Sequence, residues 1–125
     1  MDTLEKFLEL RAFVNGIERR GLVYGASFSE FVIMRAINQE GSAGIRRVDL
    51  ADAVALSISG VTRALAPLEK LGYVERLDEA LDARVRRVGL SPSGAALYQD
   101  ISENVQERMN QVSSEMQELL LSLTK

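Results

Sequence analysis

The residues best suited to chemistry in this chain are hydroxyl and arginine side chains grouped between positions 57 and 86. They form one group on a predicted helix and one on a predicted hairpin: Ser57, Ser59, Gly60, Thr62 and Arg63, then Asp82, Arg84 and Arg86. Small hydroxyl residues let a helix lie close to a groove, and arginine paired to guanine is the commonest specific base contact. An arginine near a hairpin turn can enter the adjacent minor groove, whose negative potential attracts it. The two groups predict contact with double-stranded DNA.

Plainer interpretations stay open for several of these residues. Ser57 could act only as a helix cap, and Arg63 could be a solvated surface charge. Asp82 could hold the Arg84 guanidinium through a charge-assisted pair, or the two could form an exposed pair of little energetic consequence. Arg86 shares strand parity with Arg84, whereas Arg87 points to the opposite face. Arg86 is therefore favoured as a second phosphate contact, although it too could be only solvated.

The composition excludes several other kinds of chemistry. The chain of 125 residues has no cysteine and no histidine, which removes disulfides, thiolate redox chemistry, His/Cys zinc sites and Ser-His or Cys-His catalysis. We therefore expect no enzyme, no metal site and no cofactor. The formal net charge is −3, but residues 41–90 hold eight basic and seven acidic side chains, a local excess of one positive charge. Local patches steer association more than the total charge does.

Four helices are predicted before the hairpin. The first covers residues 2–20, and the second begins at Ser27, whose spacing to Glu30 is typical of a capping box. The third covers 47–56 and the fourth 57–71, and so tight a connection indicates a helix-turn-helix. Pro67 lies inside the fourth helix, where it removes a backbone hydrogen bond. We expect a bend or a frayed second half there.

The hairpin and the C-terminal helix follow. Gly72 predicts a helix stop, residues 73–77 and 85–90 a two-stranded ribbon, and Ser91-Pro92 a new helix start. An apolar stripe runs through residues 97–123, in one helix or in two separated at Ser113 or Ser114. The stripe predicts homodimerisation through residues 1–20 and 93–125. The alternative is that it packs only on the chain's own first helix.

A small-molecule site is a further hypothesis. Its members are Arg11, Arg20, Tyr24, Phe28 and Phe31. Aromatic and arginine side chains around a crevice suit a small aromatic or anionic effector. The alternative is that these are core aromatics and surface arginines.

From about Ala26 to Gly94 the chain resembles the MarR family of winged helix-turn-helix transcription regulators. The resemblance rests on Ser27-x-x-Glu30-Phe31, Leu50-Ala51, Val61-Thr62, Leu68-Glu69, Gly72, Val74, Arg76, Asp82-x-Arg84 and Leu90-Ser91-x-x-Gly94. It implies a dimer bound to a pseudo-palindromic operator, usually a repressor, which a ligand or chemical signal releases. It also implies that Arg84 is the wing residue and Asp82 its support.

The sequence thus predicts a mainly α (α+β) fold, a winged helix-turn-helix with a two-stranded β-wing and terminal dimerisation helices. One domain would span 1–125, with a DNA-binding core at 27–92 and a wing at 73–90. No apolar run could span a membrane and no signal peptide is visible, so a cytoplasmic regulator is expected. The alternative function is a winged-helix protein-interaction module that does not bind DNA, which the acidic overall balance favours.

Overall fold

A computed structural model of the chain describes residues 2–79 and 82–123. Within these ranges the chain forms six α-helices, three strands and two short 3₁₀ turns. The helices are α1 (Thr3–Arg20), α2 (Phe28–Gln39), α3 (Arg47–Val54), α4 (Ile58–Lys70), α5 (Pro92–Asn110) and α6 (Ser114–Ser122). The strands are β1 (Ile45–Arg46), β2 (Val74–Glu79) and β3 (Asp82–Leu90). The predicted winged helix-turn-helix, mainly helical with a small antiparallel sheet, is confirmed.

Side-chain caps determine where several helices begin. Ser27 accepts from the Glu30 amide at 3.0 Å while the Glu30 carboxylate accepts from the Ser27 amide at 3.0 Å, so the predicted capping box is present. Ser91 caps α5 ahead of Pro92, as expected. Ser113 caps α6 by accepting from the Met116 amide at 3.2 Å. The C-terminal stripe is therefore divided between two helices, and the break falls at Ser113.

The core lies where α2, α3, α4, the sheet and α5 meet. Its largest fully buried side chains are Ile33, Met34, Ile37, Leu50, Val61, Leu65, Val88 and Ile101. In α4 the buried positions Val61, Leu65 and Leu68 recur at steps of three and four, so that only one face of the helix packs inward. The opposite face of α4 is largely exposed.

Pro67 does not fray α4. The helix is continuous from Ile58 to Lys70 with Pro67 inside it, so the expected frayed second half is wrong. The neighbouring Leu65 and Leu68 are buried on the core side, and this packing holds the helix despite the lost backbone hydrogen bond.

The sheet has three strands in the order β1-β3-β2, so the prediction of a two-stranded ribbon was incomplete. Ile45 pairs with Val88 and Arg46 with Arg87 on one side of β3, while Arg76 pairs with Val88 on the other. Directly opposed residues share a face of an antiparallel sheet. Arg76 therefore lies on the same face as the buried Ile45 and Val88, which is the face toward the helices.

Gly94 allows α5 to begin close against the start of the wing. A Cβ built on Gly94 would overlap the carbonyl oxygen of Tyr73. The hydroxyl of Ser91 also donates to the Gly72 carbonyl at this junction. The Ser91-x-x-Gly94 motif thus fixes where the wing ends and α5 starts.

Candidate nucleic-acid interface

The connection between α3 and α4 is a compact helix-turn-helix. Ala55 follows α3 in the left-handed conformation, with φ of 57°, and the Leu56 amide donates back to the Ala51 carbonyl at 3.0 Å. Ser57 then caps α4 by accepting from the Gly60 amide at 3.0 Å. Residues 57–59 are all exposed, so the N-terminal end of α4 projects from the core.

The structure brings the five predicted residues of α4 together at this projecting end. Ser57, Ser59, Thr62 and Arg63 are exposed and Gly60 is partly buried. The hydroxyls of Ser57 and Ser59 lie 3.3 Å apart. Ser57 is thus the helix cap that the plainer interpretation expected.

An arginine-lined concavity separates this helix from the wing. Its volume is about 240 Å³, and it is lined by Arg47, Thr62, Arg76, Arg86, Arg87 and Val88. Arg76 lies opposite Val88, and Arg86 is two residues from Val88 on β3. Both arginines are therefore on the helix-facing side of the sheet and reach the concavity from there. Four guanidinium groups around one hollow make a site for anionic oxygen atoms. We refer to this set of residues as the arginine cradle.

Arg47 joins the cradle to α4. Its guanidinium donates to the Glu69 carboxylate at 2.8 Å and to the Thr62 hydroxyl at 3.3 Å. Both partners lie on α4, two turns apart, so one arginine at the start of α3 holds the orientation of α4. Glu69 also offsets part of the positive charge of the cradle.

Arg46 is held by its own helix instead. It donates to Asp49 at 2.9 Å in an exposed i, i+3 pair. The hydrogen bond to Asp49 and the charge of that carboxylate raise the pKa of Arg46 above its ordinary value. Its charge is therefore compensated locally, outside the cradle.

On the wing, the structure corrects the expected position of the turn. Asp82 and Arg84 belong to β3 by their backbone, because the strand begins eight residues before Leu90 and not at Val85. Their side chains lie outside the described part of the structure, so their assigned roles stay predictions. Arg86 is exposed and Arg87 is partly buried, yet both line the cradle. The preference for Arg86 over Arg87 as a phosphate contact stays a prediction.

Of the five residues of the hypothetical effector site, two aromatic side chains, Phe28 and Phe31, lie next to each other. Phe31 is buried and stacks on Tyr98 with ring centroids 5.7 Å apart, and Phe28 lies 6.2 Å from Phe31 in a tilted arrangement. Tyr24 is 70% exposed, and Arg11 and Arg20 are exposed on α1. Phe31 is thus a core residue in this arrangement, while the effector site itself remains a hypothesis.

Sequence reasoning missed Arg47 and Arg76 as interface residues. They are 29 positions apart in the chain, and only the pairing of β2 with β3 and the packing of α3 on α4 bring them to one hollow. The available signal was the parity of Arg76 with Val74, which places both on one face of β2.

A helix-turn-helix whose second helix projects its polar end, followed by an antiparallel wing and an arginine cradle between them, defines a winged helix-turn-helix DNA-binding transcription regulator. Residues 27–85 of the chain match the model of the MarR family. The resemblance drawn from the sequence is thereby confirmed, and this match indicates a transcription regulator and not an enzyme.

Solved structures agree with this assignment. The chain is similar to a probable transcriptional regulator from Pseudomonas aeruginosa at 20% identity and a TM-score of 0.78, covering 98% of this chain and 95% of that one. It is 26% identical to wild-type MarR in the apo form from E. coli, with a TM-score of 0.63 over 78% of this chain and 75% of that one. A mutant of S. aureus MepR bound to an oligodeoxyribonucleotide is 21% identical, with a TM-score of 0.57 over 79% and 75% of the two chains. None of the curated proteins matches the sequence significantly.

Within the described ranges, no helix combines the length and apolar character needed to cross a membrane.

Proposed function

We propose that the chain acts as a homodimeric repressor of the bacterial or archaeal cytoplasm that binds a pseudo-palindromic operator and is released by a small-molecule ligand. The observation that carries the DNA-binding part is the arginine cradle beside the exposed N-terminal end of α4. Phosphates would bind in the cradle and supply affinity, while α4 would enter the major groove and supply sequence choice. The DNA-bound MepR relative supports this use of the fold.

Exposed apolar side chains support the dimer. Leu4, Phe7 and Leu8 on α1 are 65%, 61% and 50% exposed, and at steps of three and four they share one strip of the helix. Leu121 and Leu123, near the other end of the chain, are 67% and 59% exposed. Such a surface favours burial against a second copy. Two recognition helices about 34 Å apart would then match successive turns of the major groove.

Within one protomer, α6 lies beside α1, and this arrangement is compatible with the proposed dimer. Met116 and Leu119 lie across a groove from Lys6 and Glu9 of α1. The stripe thus meets its own first helix in part, as the alternative interpretation expected. The exposed apolar residues of α1 would be buried by the partner copy.

Ligand release rests on the family assignment and on a two-state argument. A ligand that binds the DNA-incompetent arrangement more tightly would shift the population away from the operator. The domain division proposed from the sequence goes with this function: residues 27–92 would bind DNA, and residues 1–20 and 93–125 would hold the two copies together.

The test is selection of bound sequences from a random DNA pool, followed by salt titration of the selected duplex. We expect an inverted-repeat sequence and a linear fall of log K with log salt concentration, whose slope reports the number of phosphates contacted. Arg86→Ala should reduce that slope by about 0.9. Failure to enrich any sequence, with no salt-dependent binding, would favour the protein-interaction module instead.

A further inference from the structure

Ile58 is an apolar side chain at an otherwise polar end of the recognition helix. It is the first residue of α4 and is 54% exposed. Its neighbours Ser57, Ser59 and Thr62 are also exposed. We propose that Ile58 contacts the C5-methyl group of a thymine in each operator half-site and so selects an A·T pair at that position. The inference rests on the proposed function, because it requires α4 to enter a major groove.

The position of Ile58 on the helix places it beyond the arginine cradle. Ile58 precedes Thr62 by four residues, so the two share one strip of α4. Thr62 lines the cradle, where phosphates are expected. Ile58 lies one turn nearer the helix N-terminus, and the N-terminal residues of a recognition helix are those that contact base edges.

The chemistry of the groove leaves one favourable partner for this side chain. The base edges in the major groove present hydrogen-bond donors and acceptors, apart from the thymine methyl group. Isoleucine cannot hydrogen-bond, so packing it on a polar edge would desolvate that edge without compensation. A thymine methyl group offers apolar contact without that cost.

Ile58 is not part of the buried core. Ile58 lies three residues before Val61 and seven before Leu65, so it extends their strip to the end of the helix. Val61 and Leu65 are fully buried there, whereas Ile58 keeps more than half of its surface exposed. The surrounding hydroxyl groups, with Arg63 and the cradle, complement a nucleic acid better than an apolar protein surface. These features favour DNA as the occupant of this end of α4.

The test replaces thymine by deoxyuridine, one position at a time, in the selected operator duplex, which removes only the methyl group. We expect one position in each half-site at which binding to the natural protein weakens about fourfold, the factor that corresponds to one buried methylene-sized group. Ile58→Ala should abolish this sensitivity. Leu71→Ala should keep it, because Leu71 is equally apolar and exposed (66%) but caps the far end of the same helix.

Each other outcome contradicts the inference. If no deoxyuridine position weakens binding to the natural protein, or if Ile58→Ala keeps the natural sensitivity, Ile58 does not read a methyl group, although the proposed function stands. A selected half-site without an A·T pair leads to the same conclusion. If the natural protein enriches no sequence at all, the proposed function fails first and the inference fails with it.

Discussion

Arg47 and Glu69 form a partly buried ion pair, 2.8 Å long with 24% and 26% of the two side chains exposed, between the start of α3 and the second half of α4. Because Arg47 also donates to Thr62, the pair fixes how the recognition helix lies on α3. It also places a carboxylate next to the arginine cradle. Glu69 thus has two opposite roles: it orders the helix, and it would compete with phosphate for Arg47 if DNA binds as proposed.

Glu69→Gln separates these effects. The amide keeps a hydrogen-bond acceptor for Arg47 but removes the negative charge. We expect tighter DNA binding and a salt slope steeper by up to about 0.9, the value for one additional phosphate contact. The stability of the protein should fall by about 1 kcal/mol, since one charged partner of a hydrogen-bonded pair is lost.

The control for this prediction is Glu75→Gln. It changes the net charge equally, but Glu75 of β2 pairs with Gly89 of β3. Because Glu75 is adjacent to Arg76 in the strand, its side chain lies on the opposite face of the sheet from the cradle. Salt titrations of both variants give the measurement. Equal slopes for Glu69→Gln and Glu75→Gln would mean that Glu69 acts only through the total charge.

Phe7→Glu should convert the dimer into monomers. A charge on the exposed strip of α1 that Phe7 shares with Leu4 and Leu8 would be buried without a partner in the dimer. Sedimentation should then give half the mass of the natural protein, and operator affinity should fall with it. The control is Leu71→Glu, at an exposed leucine that follows α4. This variant should remain a dimer. An unchanged mass for Phe7→Glu would move the interface elsewhere.

Gly94→Ala should strongly destabilise the fold, by about 3 kcal/mol or more, because the new Cβ would meet the backbone carbonyl of Tyr73. Gly60→Ala is the matched helical control. Its Cβ would approach side-chain atoms alone, the Ser57 hydroxyl at 3.2 Å and the Leu56 Cβ at 3.6 Å. Alanine is also about 1 kcal/mol more favourable than glycine in a helix. Chemical denaturation of both variants measures the difference. Equal stabilities would show that α5 can shift away from the wing at little cost.

The local signals in the sequence were sufficient for most helix boundaries. Ser27 with Glu30 and Ser91 with Pro92 act within one helical turn, so their spacing alone predicts the caps that the structure has. The two-residue strand Ile45–Arg46 could not be predicted this way, because two residues cannot show an alternating pattern and the strand exists only through its pairing with β3. The frayed helix expected at Pro67 was also wrong, because the packing of α4 on the core outweighs the local tendency of proline to break a helix.

In the candidate site, too, the residues placed by a local pattern could be predicted and those placed by long-range pairing could not. The exposed end of α4 follows from one helical pattern, so its five residues could be proposed from the sequence. The arginine cradle depends on long-range register, and Arg76 joins it because it pairs opposite Val88. Ile58 was missed because an isolated apolar residue is indistinguishable from a core position until its exposure is known.

Arg84→Ala tests the wing assignment that the family resemblance implies. If Arg84 enters a minor groove or contacts a phosphate, the variant should bind more weakly and show a flatter salt dependence. Asp82→Ala should have a smaller effect in the same direction, since its expected role is to support Arg84. Affinity equal to that of the natural protein in Arg84→Ala would remove the wing residue from the interface while leaving the cradle in place.

Arg63→Ala should differ in kind from the cradle variants. Arg63 is exposed at the projecting end of α4, where a guanidinium can reach the paired acceptors of guanine. We therefore expect a loss of about 1–3 kcal/mol that is confined to duplexes keeping particular base pairs. Arg86→Ala should weaken binding to all sequences alike, because a phosphate contact carries no sequence information. The measurement is the affinity of each variant for a panel of single-base-pair changes in the operator. A uniform loss with Arg63→Ala would reassign Arg63 to the phosphate backbone and leave base selection to the other exposed residues of α4.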